Sequence, residues 1–255
     1  MADASKLDEN KPGADEPAPP KSGGRTPDLL VRFVSAVAML GIAIIALYLG
    51  GWVWIGFVVL IGGLVLWEWN LLVRGFGVSD LAQVAWQFVG ALYVGAAALA
   101  MMQVRFDFDM WTVLSTYLAP VIAVDVGAYF AGRLIGGPKI APAISPSKTW
   151  AGLIGGAVAA ALVLIGVDVF DIGAANAPRF SLVNIALAGA IGAVVAVVAQ
   201  SGDFFESWMK RRAGVKDSSN LIPGHGGVFD RADGFLAVFF VLFLIAVAPL
   251  YMGLG

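Results

Sequence analysis

Residues 200–234 read QSGDFFESWMKRRAGVKDSSNLIPGHGGVFDRADG. Five acids, five lysines and arginines and the only histidine of the chain fall within these 35 residues. On either side lies an apolar run of about the length that crosses a bilayer, roughly 20 residues. Charge at this density between two such runs is too costly to be incidental, and it reads as a reaction centre at a membrane surface.

The rest of the chain supports that reading. Of 255 residues, 59% are hydrophobic and 13% charged, against about a quarter charged in soluble domains. The mean hydropathy is +0.84. A soluble fold of this size could not bury so much apolar surface, so the class is an all-α polytopic transmembrane bundle. The absence of cysteine excludes disulfides, thiolate metal sites and a cysteine nucleophile. One histidine and no cysteine argue against zinc. Clustered aspartates favour a hard cation such as magnesium.

Residues 1–28 hold Pro12, Pro17, Pro19, Pro20 and Pro27 among alanine, glycine and charge, a composition expected to form a disordered tail. Seven apolar segments follow, at about 30–49, 52–72, 84–104, 110–134, 150–170, 182–202 and 235–253. The first is read as a retained anchor, and Gly50 and Gly51 make a tight hairpin between the first two. Glycine and alanine at positions such as Gly152, Gly155, Gly156 and Ala159 suit close helix packing. The organisation expected is a tail (1–28), amino-terminal membrane helices (29–110) and a catalytic membrane region (111–255).

Lysine and arginine set the orientation. With the amino terminus in the cytoplasm, 14 of the 16 bases fall inside, leaving only Arg105 and Arg179 outside. Both polar clusters then face the cytoplasm, where nucleotides are.

Three groups of residues carry chemistry. If the sixth apolar helix continues past Gly202, then Asp203, Glu206, Ser207 and Lys210 share a face. Asp230 and Asp233, three apart at the start of the last helix, share another. Two acid-bearing helix ends could converge on a divalent cation. The alternative is a belt of surface salt bridges, and that is the preferred reading of Glu206 taken alone. Second, Pro223-Gly224-His225-Gly226-Gly227 is a loop whose bare backbone amides could wrap phosphate oxygens. Lys210, Arg211, Arg212 and Lys216 would balance the phosphate charge, and His225 is either a phosphate donor or a structural residue. Third, Asp125 lies inside an apolar segment and must pair with a cation or face water, with Tyr129 one turn on. Ser145-Pro146-Ser147-Lys148-Thr149 then precedes the fifth helix, whose capped N-terminus and nearby ammonium suit an anion. A positive loop that only sets topology is the competing reading.

The series Ser207, Lys210, Arg211, Lys216, Asp217, Pro223-Gly224-His225-Gly226-Gly227, Asp230, Arg231 and Asp233 resembles the signature of phosphatidate cytidylyltransferases. Gly202-Asp203, Asp125-x-Gly127-Ala128-Tyr129 with Gly132-Arg133, and Ser145-Pro146-x-Lys148-Thr149-Trp150 fit the same family. The resemblance spans residues 122–234; Ala151 departs from it, since relatives often carry glutamate there. It implies seven to nine membrane helices, with a broken helix in the long first or fourth segment. It also implies a cytosol-facing polar cavity that opens to the bilayer, and a homodimer. CTP and phosphatidate are the implied substrates, with membrane lipids around them and no nucleic-acid partner. Magnesium on Asp203 and Asp230, with Asp125 beside them and potassium as a second ion, is implied too. Lys148, Lys210, Arg211, Lys216, His225 and Asp233 are the catalytic candidates. Ser145, Ser207, Gly224, Gly226, Gly227 and Arg231 are the substrate-binding ones, and the inner membrane is the expected location. Two rivals remain: a cation-coupled transporter built round Asp125, and a CTP-dependent lipid kinase.

Overall fold

A computed structural model describes residues 25–170 and 181–251. The expected tail lies, up to residue 24, outside the described residues, as do Asp171 and Arg179 of the expected outer loops. Helices α1 (Arg25–Leu49), α2 (Gly51–Arg74) and α3 (Asp80–Asp107) come first. A short α4 (Met110–Thr112) leads through a π-helical stretch (Val113–Leu118) into α5 (Ala119–Leu134). A hairpin of β1 (Lys139–Ala141) and β2 (Ser145–Thr149) precedes α6 (Trp150–Val169), α7 (Leu182–Arg212) and α8 (Phe229–Tyr251).

Among the described residues, six helical segments are long and apolar enough to cross a membrane: Leu30–Leu49, Gly51–Arg74, Asp80–Asp107, Met110–Leu134, Trp150–Val169 and Leu182–Arg212. Helix α8 carries the seventh apolar run. The chain is therefore a multi-pass helical membrane protein. Between α1 and α2 the chain turns at Gly50 and Gly51, both at positive φ, a conformation that a residue with a Cβ adopts only at a cost. The fourth segment is the one that departs from a regular helix. Pro120 follows the π-helical stretch; proline has no N–H to give the preceding turn, and a widened turn accommodates that loss.

The structure corrects the all-α expectation in one place. The stretch read as a loop with a proline turn is a two-stranded antiparallel hairpin, with Lys139 opposite Thr149 and Ala141 opposite Ser145. The Ile144 amide closes its turn on the Ala141 carbonyl at 3.1 Å, with Pro142 at the position that proline's fixed φ favours. Pro146 is tolerated because a two-stranded sheet has only edge strands.

Small residues bring the helices together. A Cβ on Gly127 of α5 would lie 2.5 Å from the Gly155 carbonyl of α6, and one on Gly202 of α7 would lie 2.5 Å from the Asp233 carbonyl of α8. Backbone therefore meets backbone at both crossings. A second core is aromatic. Trp69 of α2 is fully buried and meets Trp86, Tyr93, Phe205 and Phe229 at centroid distances of 5.7–6.3 Å. This cluster joins α2, α3, α7 and α8.

The helix ends separate by charge. Gly75, just past α2, packs against Ala213, just past α7, so Arg74 and Lys210–Arg212 share one end of the bundle with Arg133, Lys148 and Arg231. Arg105 lies at the other end, where its Nε donates to the Leu47 carbonyl at the close of α1. The positively charged end expected from the sequence is thus a physical end of the bundle.

Candidate active site

Four helices and the hairpin enclose a polar cavity of about 640 Å³ at that charged end. From α5 come Asp125, Tyr129 and Arg133; from β2, Ser147 and Lys148; from α7, Gln200 and Asp203; from α8, Asp230, Arg231 and Asp233. Each is there for a local reason. Helix α7 continues for ten residues beyond Gly202, which keeps Asp203, just past the apolar stretch, on the same helix. Asp230 and Asp233 sit in the first turns of α8, and Lys148 stands at the end of β2 where Thr149 caps α6. The Thr149 hydroxyl accepts from the Gly152 amide at 3.0 Å.

Four carboxylates share the cavity lining with Lys148, Arg133 and Arg231. Lys148 forms an ion pair with Asp203, so the hairpin and α7 are tied together inside it. Beneath the wall, Lys210 lies 2.5 Å from Glu206 and 2.6 Å from Asp230. Asp230 is almost wholly engaged: its Oδ1 accepts from Lys210, while Oδ2 accepts from the amides of Ser218 at 3.0 Å and Gly227 at 2.8 Å. Arg133 donates to the Tyr129 hydroxyl at 2.8 Å.

The glycine-rich loop is folded onto this framework. Gly224 and Gly226 take positive φ, and the Ile222 amide donates to the Gly226 carbonyl at 2.8 Å. His225 points toward α1, with its Nδ1 2.9 Å from the Ser35 hydroxyl. Arg231 donates to the His225 carbonyl through Nη2 at 2.8 Å.

Of the residues singled out from the sequence, Asp125, Lys148, Asp203, Asp230, Arg231 and Asp233 line the one cavity. Lys210 stands behind it, on Asp230. Ser207 donates to Asp203 at 3.3 Å. Ser145 is buried at the start of β2. Gly227 gives its amide to Asp230, and Gly224, His225 and Gly226 lie in the loop beside α1. Arg211 and Lys216 are exposed, away from the cavity lining.

Glu68 escaped the sequence reading. It is fully buried in α2 and reaches more than 150 positions along the chain. Its Oε1 accepts from the Ser219 hydroxyl at 2.6 Å and the Val228 amide at 2.9 Å, and its Oε2 from the Phe229 amide at 2.6 Å. A carboxylate from α2 thus caps the N-terminus of α8, satisfying amides that a helix start leaves unpaired. The Ser218 hydroxyl lies 2.9 Å from Glu68 and 2.8 Å from Asp230; its single proton serves one of them at a time. The signal was present: Glu68 interrupts an apolar run, as Asp125 does, and the same argument applies to it. Gln200, the last residue before Ser201-Gly202-Asp203, also carried no expected role.

Magnesium fits this donor set by chemistry, since the cavity offers only oxygen ligands from Asp125, Asp203, Asp230 and Asp233. Among the described residues no three acids stand close enough to ring an ion by themselves. Magnesium does not need such a ring, because it is commonly held by one or two carboxylates and the substrate's phosphates.

The fold and cavity define a class: a multi-pass helical membrane protein with a site that balances cations against carboxylates at one end. The cytidylyltransferase family profile matches residues 71–248, and the chain belongs to that family. Phosphatidate cytidylyltransferase of Brucella suis biovar 1 (strain 1330) is 38% identical over 205 residues, covering 76% of this chain and 72% of the relative. That of Rickettsia prowazekii (strain Madrid E) is 29% identical over 220 residues, covering 86% and 92%. That of Rickettsia felis is 37% identical over 146 residues, covering 55% and 61%. These relatives favour neither the transporter nor the lipid kinase.

Proposed function

We infer that the chain transfers CMP from CTP to phosphatidate, giving CDP-diacylglycerol and pyrophosphate. One observation carries the reading: the family match at residues 71–248 spans every residue that lines the cavity. An oxygen of the phosphatidate monoester attacks the α-phosphorus of CTP. A new P–O bond forms as the bond from the α-phosphorus to the bridging oxygen breaks, and pyrophosphate leaves in line. The monoester's second pKa is near ~6, so the nucleophile is already largely dianionic at neutral pH. No strong base is needed; the obstacle is the repulsion of two polyanions.

The residues of the cavity address that obstacle. Lys148, Arg133 and Arg231 border the cavity, where they would neutralise the phosphates. Asp203 orients Lys148, and Asp230 orients Lys210. Magnesium bound at Asp203 and Asp230, with Asp125 and Asp233 nearby, would supply charge neutralisation and alignment of the phosphates. The potassium ion and the homodimer rest on the family resemblance. The charged end of the bundle would face the cytoplasm of an inner membrane, following the distribution of lysine and arginine, and the site at the surface lets the lipid keep its chains in hydrocarbon.

Positional labelling tests the reaction. With CTP labelled at the α-phosphate, the purified protein should place label in the lipid; label at the γ-phosphate should leave in pyrophosphate. Lipid labelled from the γ-position would replace this reaction with the kinase.

A further inference from the structure

Gln200 is buried, at 4% exposure, yet it borders the cavity, and neither its Oε1 nor its Nε2 has a hydrogen-bond partner. An unpaired buried amide costs about 1–3 kcal/mol per group. The chain could avoid that with alanine or valine, which α7 uses freely at its apolar end. Position on the helix indicates what pairs with the amide. Gln200 lies nearly one turn further into the apolar half of α7 than Asp203, beside Ala196 and Ala199, which pack with Val121, Val124 and Ala160. The cations that suit phosphate lie toward the other side: Lys148 on Asp203, Arg133 at the last turn of α5, and exposed Arg231.

We propose that the Gln200 carboxamide binds the uncharged glycerol-ester region of the lipid substrate, its Nε2 donating to an ester carbonyl while the phosphate lies on the cations above. The proposal rests on the lipid being phosphatidate. A neutral donor beside Ala196, Ala199 and their packing partners Val121 and Val124, at the inner edge of the cavity, matches a neutral acceptor that remains tethered to acyl chains. A base-reading role fits less well. With no neighbour fixing which way the amide faces, Gln200 presents donor and acceptor interchangeably and could not tell cytosine from uracil. Oε1 is left to water carried in with the headgroup.

The test compares short-chain diacyl phosphatidate with its dialkyl ether analogue, which lacks the carbonyls, in mixed micelles. Wild type should use the ester with a kcat/KM about fivefold higher, the worth of one ordinary hydrogen bond. Gln200→Leu should abolish that preference by raising the KM for the diacyl lipid, with the KM for CTP unchanged. If the leucine variant does not accumulate, Gln200→Asn, which keeps the amide but shortens its reach, should lose the preference in the same way. Retained preference in the variant, no preference in wild type, or a raised KM for CTP alone would each overturn the proposal. Wild type that makes no CDP-lipid from either substrate would instead overturn the reaction itself.

Discussion

Asp203 and Asp230 carry the same charge but hold different places, and their asparagine variants should separate. Asp203 has a side chain 27% exposed and paired with Lys148, so Asp203→Asn should fold normally and lose about 100-fold or more in turnover, the electrostatic term alone. Asp230 has a side chain 7% exposed and accepts from Lys210, Ser218 and Gly227. Asp230→Asn should lose turnover and also melt lower, because one amide nitrogen now faces donors. Turnover and thermal unfolding in detergent, measured on both, check this; equal melting losses would mean that the burial difference is irrelevant. Lys148→Ala should lower turnover about 100-fold without reversing the sidedness of a carboxy-terminal tag, since it is one of the 14 bases that the sequence assigns to one side. A reversed tag would assign Lys148 to topology instead, and full turnover would remove it from the site.

At the scale of elements, the junction of α2 with the start of α8 is the most exacting contact. Glu68→Gln keeps the shape but turns one acceptor into a donor facing either Ser219 and Val228 or Ser218 and Phe229. Each donor left without an acceptor should cost about 1–3 kcal/mol, read as a lower midpoint in detergent together with reduced turnover, since the same loop supplies the Gly227 amide to Asp230. An unchanged midpoint would show that the cap is dispensable. The α5–α6 crossing is similarly tight: Gly127→Val should prevent the backbone contact with Gly155 and reduce folded yield, whereas the same change at Gly63, which has open space around it, should be tolerated.

For the whole molecule, an odd number of crossings puts the chain ends on opposite faces. Counted with α8 as a further crossing, the six spans among the described residues predict that tags at the two ends of this chain label from opposite sides of sealed vesicles. Labelling from the same side would require a further crossing or a re-entrant helix. Removal of divalent cations with a chelator should abolish turnover reversibly, with magnesium restoring it and the fold unaffected.

Much of this protein was legible residue by residue. The apolar runs are long because hydrocarbon is thick, and the bases collect at one side because short basic loops are retained on the cytoplasmic face during insertion; both effects act along the chain and leave a linear trace. The shared face of Asp203, Glu206, Ser207 and Lys210 was conditional on the helix continuing past Gly202, and α7 does run on to Arg212. What lay in three dimensions had no such trace. Nothing in the order of residues pairs Lys148 with Asp203, 55 positions away, or places Glu68 under a loop 150 positions later. The glycine-rich loop read as a phosphate cradle spends the Gly227 amide on Asp230, because a buried carboxylate must have donors and that loop is nearest. The length of the apolar runs settled which segments are helices, and the placement of lysine and arginine settled which end is charged. Only packing, set by where bare glycine backbones allow helices to touch, decided which carboxylates face the cavity and which hold it together.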